Sequence, residues 1–164
     1  FNILYFSMIE QISNFFNTEM IYLWLNFGVL PFWIILIFFP QSNLCRYFVT
    51  SIFPYLIFSS VYVFLLIEFY KDNYNFVDNF NLYLGLDSLN NLFDNNYFLI
   101  TFWVHFLAIN LFCGSWIVKD SLKLTMPKFL VFFPLIVTYF IGPLGIFIYW
   151  FIRIFFAKRI SIFD

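Results

Sequence analysis

The chain has 164 residues, of which 63% are hydrophobic, 27% aromatic and only 10% charged, with a formal net charge of −1. Ordinary soluble domains carry about 25% charged residues, so this composition identifies an integral membrane protein and excludes a solvated globular one. The 8 basic residues are scattered, with only Lys158 and Arg159 adjacent, which offers no track for a phosphate backbone and argues against nucleic acid as a partner.

In chain order, residues 1–18 come first. Ser7, Glu10, Asn14 and Asn17 recur at three- and four-residue spacing opposite Ile3, Phe6, Ile9 and Phe16, the pattern of an amphipathic interfacial segment. Four apolar runs follow, at about 20–39, 48–69, 97–118 and 129–156, each near the roughly 20 residues needed to cross a bilayer. Lipid offers backbone groups no partner, so the runs are expected to be helices. The predicted fold is an all-α integral membrane protein, a four-transmembrane-helix bundle in one membrane domain. An acidic loop over 70–96 separates the second and third spans, with a short helix near Asp87–Phe93 capped by Asp87 or Ser88. With four spans, the N-terminus, the long loop and the C-terminus share one face, and the basic residues split evenly: Lys71, Arg153, Lys158 and Arg159 against Arg46, Lys119, Lys123 and Lys128. The positive-inside rule then assigns no orientation; the acids, all but Asp120 on the long-loop face, incline the short loops toward the matrix, stroma or cytoplasm.

The third run carries His105, the chain's single histidine, together with Asn110 and Asp120. Ionisable groups at membrane depth mark packing interfaces, ligand sites or catalytic centres. On a helix Asn110 lies about 140° around from His105, and Asp120 about 22 Å along the axis, so these residues cannot form a dyad. An imidazole bonded to a neighbouring helix is the leading reading of His105; an axial haem ligand is an alternative, for which a bis-histidine site would need another chain, and a general base would need a partner. Cys45 and Cys113 do not form a metal or disulfide pattern. Gly114 permits close helix approach, and Gly142-Pro143-Leu144-Gly145 is expected to kink the fourth span. Packing or interface roles are expected for Asn26, Trp33, Trp103, His105, Asn110, Gly114, Trp116, Gly142, Pro143 and Gly145.

Taken together, Asn26 with Pro31-Phe32-Trp33 and Pro40, Tyr62, Leu86–Phe93, Trp103-x-His105, Leu111-Phe112-x-Gly114-x-Trp116-Ile117 with Asp120, and Gly142-Pro143-x-Gly145 followed by Arg153 resemble the neoxanthin-synthase-like, or abscisic-acid-deficient-four-like, membrane proteins of plastids, cyanobacteria and other lineages. The resemblance covers nearly the whole chain. It implies a carotenoid-isomerising activity, violaxanthin toward neoxanthin, with His105, Asp120 and position 110 as candidate groups. Asn110 stands where the family's aspartate is expected, which removes the charge most suited to proton transfer or carbocation chemistry.

Two functions follow as expectations. The first is a non-catalytic accessory subunit of an organellar complex, a respiratory assembly of the mitochondrial inner membrane. It would bind structural lipids and other membrane subunits, and it rests on aromatic surface beyond what a narrow bundle can bury, on the absence of a self-sufficient acid/base pair and on the amide at Asn110; the abundance of residues with A/T-rich codons suggests an organellar origin. The second is a plastid-type enzyme or pigment-binding protein acting on a carotenoid-like lipid between helices. A haem-carrying anchor rests on His105 alone.

Overall fold

A computed structural model describes residues 17–71, 80 and 83–157. The interfacial segment expected before Asn17 and much of the acidic loop lie outside the described residues. Within them every regular element is helical: α1 (Thr18–Phe38), a π-helical turn (Cys45–Val49), α2 (Phe53–Lys71), α3 (Leu86–Phe93), α4 (Asn96–Lys123), α5 (Lys128–Phe140) and α6 (Gly142–Ala157). Three stretches are long and apolar enough to cross a membrane: Thr18–Phe38, Cys45–Lys71 and Asn96–Lys123. The expected fourth span is two helices of 13 and 16 residues, α5 and α6, broken at Ile141, whose backbone leaves the helical region at φ −142 and ψ 88. Pro143 explains much of the break: it has no N–H to continue the ladder, and its ring crowds the preceding turn.

The short helix α3 forms where the acidic loop regains a leucine pattern, but neither Asp87 nor Ser88 caps it. It starts one residue earlier than expected, at Leu86, which puts Gly85 at the cap with φ +146 and no side-chain bond. Glycine alone occupies that backbone region without strain.

Contacts divide the chain into two compact units, Phe1–Val29 with Val61–Val104, and Leu30–Ser60 with His105–Asp164. In the first, Ile21, Leu25 and Val29 of α1, Leu65 and Phe69 of α2, Leu92 of α3, and Ile100 and Val104 of α4 are buried. Ring contacts tie α4 to α3 and α2: Phe93 lies 5.3 Å from Phe98 and 5.0 Å from Phe102, and Phe69 lies 5.7 Å from Phe98. Offset and edge-on aromatic pairs of this kind add roughly 0.5–1.5 kcal/mol each beyond area burial.

In the second unit, α1 meets α4 where Trp33 covers Gly114. A Cβ there would sit 2.7 Å from the indole ring, so the glycine is what lets the tryptophan approach the helix this closely. Beyond α4, the chain makes a sharp hairpin. Asn110, Trp116 and Asp120 of α4 meet Gly142, Tyr149 and Arg153 of α6 in the same order, so α6 runs parallel to α4. The Tyr149 hydroxyl lies 3.5 Å from the sulfur of Met126, just before α5 begins. A continuous helix would hold those two residues about 34 Å apart. So α5 leaves the Asp120 end of α4 and α6 returns to it. The two arms approach closely at Gly145 and Thr138, where an added Cβ would fall 2.5 Å from the Thr138 nitrogen and 2.6 Å from its Cα.

Candidate functional site

The first unit holds an open groove of about 710 Å³ between the N-terminal parts of α1 and α4, with Phe93 of α3 on its wall. Local sequence places its mouth. Asn17 accepts the Met20 N–H through Oδ1 at 2.8 Å, and Asn95 accepts the N–H groups of Tyr97 and Phe98 at 2.9 and 3.3 Å. Each asparagine fixes where its helix begins. Thr18, Glu19 and Asn96 therefore stand together at the polar end, while Tyr22, Leu23, Leu99, Ile100, Phe102 and Trp103 line the apolar remainder. Glu19 is the sole carboxylate among the lining residues.

Trp103 is held by a relay across the two helices. Its indole N–H donates to Asn26 Oδ1 at 3.3 Å, Asn26 Nδ2 donates to the Tyr22 carbonyl at 2.7 Å, and the Tyr22 and Trp103 rings sit 5.8 Å apart. A polar side chain one turn deeper than Tyr22 thus sets the ring plane that closes the groove.

In the second unit α4 bonds the hairpin through Asn110 and through Asp120. At its tip, Asn110, 2% exposed, donates from Nδ2 to the Tyr139 carbonyl at 3.4 Å. In an unbroken helix that carbonyl would accept from the residue four positions on, which is Pro143 and has no N–H. The asparagine supplies a replacement donor, and Gly142 leaves room for it, since a Cβ there would collide with Asn110 Oδ1. An ionised aspartate offers acceptors only. Asn110→Asp is accordingly expected to cost about 1–3 kcal/mol, read as a lower thermal midpoint in detergent, with Asn110→Ala milder because it buries no extra charge. A wild-type midpoint in the Asp variant would show that this donor does not hold the hairpin tip.

At the hairpin's root, Asp120 is bonded from three directions. Arg153 Nε and the Tyr149 hydroxyl donate to Oδ2 at 2.7 and 2.8 Å, and Arg153 Nη2 donates to Oδ1 at 3.2 Å. Arg153, Tyr149 and Asp120 are 1%, 0% and 8% exposed, and Trp116 packs edge-on against Tyr149 at 5.6 Å. Through these bonds the carboxylate ties α4 to α6.

The three candidate groups of α4, His105, Asn110 and Asp120, are not brought together. His105 lies on an exposed side of the helix, Asn110 is at the hairpin tip, and Asp120 is at its root. Pro143 is exposed beside buried Gly142 and Gly145. Residues that sequence reasoning passed over are Glu19, Tyr22 and Phe93 in the groove, and Tyr149 with Met126 beside Asp120. Tyr149 and Arg153, four apart on an otherwise apolar helix, carried a signal: an intramembrane arginine calls for an acidic partner, and Asp120 was the one acid near that depth on α4. Glu19 gave none, because it sits at the polar edge of a span where a carboxylate is unremarked.

No curated protein and no solved structure matches the chain. A family profile does, over residues 20–149, a segment that includes α2, α3, α4 and α5 whole, the Asn26–Trp103 contact, and the Asn110 and Asp120 positions. The chain belongs to the ABA DEFICIENT 4-like family.

Proposed function

We propose that this chain is an integral membrane protein that binds a carotenoid-like polyisoprenoid in the groove between α1 and α4 and isomerises it by proton transfer at Glu19. The observation that carries the reading is the groove itself: a cavity of about 710 Å³, within the roughly 300–1,000 Å³ typical of small-molecule sites, apolar along its length and polar at one end. From Asn96 to Trp103 it runs about 10 Å along the helix. That length suits an oxygenated end ring, with Glu19 and Asn96 at the ring's polar substituents, Tyr22, Phe102 and Trp103 against its apolar body, and the polyene continuing into lipid.

Family membership supports this reading and favours a plastid-type membrane. The accessory-subunit expectation, with its mitochondrial inner membrane and respiratory partners, draws no support from the family match and is set aside. The other candidate groups are less suited to the chemistry. His105 is exposed and takes no part in either hairpin contact, Asn110 has no charge, and Asp120 is committed to Arg153 and Tyr149. An isomerisation is balanced by one proton given and one removed, and a single carboxylate can do both in turn.

The test is incubation of the chain in lipid nanodiscs with violaxanthin, followed by chromatography and mass measurement. Wild type is expected to give an isomer of unchanged mass. Glu19→Gln should bind the carotenoid but lose turnover by roughly 10²–10⁴-fold, the usual contribution of a positioned acid–base group. Equal turnover in the Gln variant would remove Glu19 from the mechanism.

A further inference from the structure

We propose that α5 and α6 form a re-entrant hairpin that enters and leaves the bilayer through one leaflet, and that this leaflet is the anionic one facing the matrix, stroma or bacterial cytoplasm. The first half rests on depth. The hairpin's root contacts Asp120 and its tip contacts Asn110, near the middle of the 28-residue α4. The arms, of 13 and 16 residues, span about 20 and 24 Å, short of the roughly 30 Å hydrocarbon core. Non-helical backbone at membrane depth is tolerated only where protein satisfies it. Here the break at Ile141 meets that condition, since Asn110 bonds the Tyr139 carbonyl and Gly142 is buried.

The second half follows from recounting charge. With three crossings and a hairpin, Arg153 belongs to the same side as Arg46, Lys119, Lys123 and Lys128. That overturns its expected place on the long-loop face. Among the described residues the long-loop side keeps one basic group, Lys71, which is ion-paired with Glu68, together with Glu19, Asp87 and Asp94. The opposite side has five basic residues and one acid, Asp120, which pairs with Arg153. Arg46, Lys119, Lys123 and Lys128 are all exposed, and Lys158 and Arg159 follow Ala157 directly in the sequence. An even split thus becomes a strong asymmetry, and short basic loops of this kind set orientation and meet anionic headgroups. The exposed Tyr47, with the Arg46 guanidinium 5.6 Å from its ring centre, adds an aromatic anchor on that side.

The experiment uses the full chain with Cys45→Ser and Cys113→Ala. One reporter cysteine is placed at a time, Lys123→Cys or Asp87→Cys, and an epitope tag follows Asp164. The probes, a membrane-impermeant maleimide and an antibody, are applied to sealed vesicles of known sidedness from the expressing bacterium. The expected result is that the Lys123→Cys thiol and the tag are reached only from the cytoplasmic side, and the Asp87→Cys thiol only from the other. A tag reached from the same side as the Asp87→Cys thiol would overturn the hairpin, since that is the four-span arrangement. A tag and Lys123→Cys thiol that share a side, but the non-cytoplasmic one, would overturn the leaflet assignment. As a check on cause, Lys119→Glu/Lys123→Glu/Lys128→Glu is expected to give mixed or inverted sidedness, and unchanged sidedness would remove these lysines as its determinant.

Discussion

Replacing Arg153 with Leu is expected to cost about 3–5 kcal/mol of stability, because it leaves the Asp120 carboxylate buried without its guanidinium. The size follows from the setting. Both partners are out of solvent, Arg153 at 1% and Asp120 at 8% exposure, and the bonds at 2.7 and 3.2 Å form a two-pronged clamp that Tyr149 completes. The loss comes mainly from an orphaned charge and less from a forfeited attraction, so removing both charges should hurt less than removing one. Asp120→Leu/Arg153→Leu is therefore expected to recover a large part of what Arg153→Leu loses, while Tyr149→Phe should cost about 1 kcal/mol, the worth of one hydrogen bond. Thermal unfolding in detergent, followed by tryptophan fluorescence, reads all three. A single-charge variant no less stable than the double one would show that the pair does not hold the hairpin root.

Gly145→Ala should be nearly as damaging, for a steric reason. The new Cβ would lie 2.5 Å from the Thr138 nitrogen and 2.6 Å from its Cα, and backbone atoms cannot swing aside as a side-chain end can. The two arms would have to part, exposing Thr138, whose hydroxyl now donates to the Pro134 carbonyl at 2.7 Å. Overpacking of well-fitted contacts costs about 1–3 kcal/mol and occasionally more; a backbone collision at a hairpin tip belongs at the upper end. Gly28 provides the comparison, since a Cβ there meets nothing within 4 Å. Gly28→Ala, in the interior of α1, should be neutral or slightly stabilising through helix propensity alone. Equal thermal midpoints for the two alanine variants would contradict the packing described for α5 and α6.

How much of this was legible in the sequence depends on the kind of signal. Helical class and membrane residence follow from composition and run length, which are local and additive, and α3 announced itself by regained leucine spacing. The expected fourth span is broken in two, and among the described residues three stretches are long and apolar enough to cross. An apolar run of sufficient length reads as one crossing, and Gly142-Pro143-Leu144-Gly145 reads as a kink, because run length carries no information about whether a helix continues or doubles back. That difference lies in long-range contacts: Tyr149 with Met126, Arg153 with Asp120, and Asn110 with the carbonyl that Pro143 leaves without a donor. The even distribution of lysines and arginines between faces rests on counting that run as one crossing.

The candidate site was legible in its parts and not in its assembly. Asn26 and Trp103 stood out as polar or aromatic residues in different spans, yet nothing in their spacing shows one bonded to the other across the groove. His105 drew attention as the single histidine, but rarity in a sequence says nothing about which way a side chain faces. Glu19, the one carboxylate lining the groove, sits where a charged residue at a span's edge is ordinary, and it acquires meaning only once Asn96 and Phe93 are seen beside it.

The most direct test of the central claim is equilibrium binding of a carotenoid to the chain in lipid nanodiscs, followed by quenching of tryptophan fluorescence. Trp103 lines the groove, so saturable quenching is the expected result, with affinity lowered by Leu99→Trp, which obstructs the groove between Asn96 and Trp103, and unaffected by Phe147→Ala on the exposed side of α6 in the other unit. Quenching that rises without saturation, and identically in all three proteins, would mean that the carotenoid only partitions into lipid and that the groove is not its site.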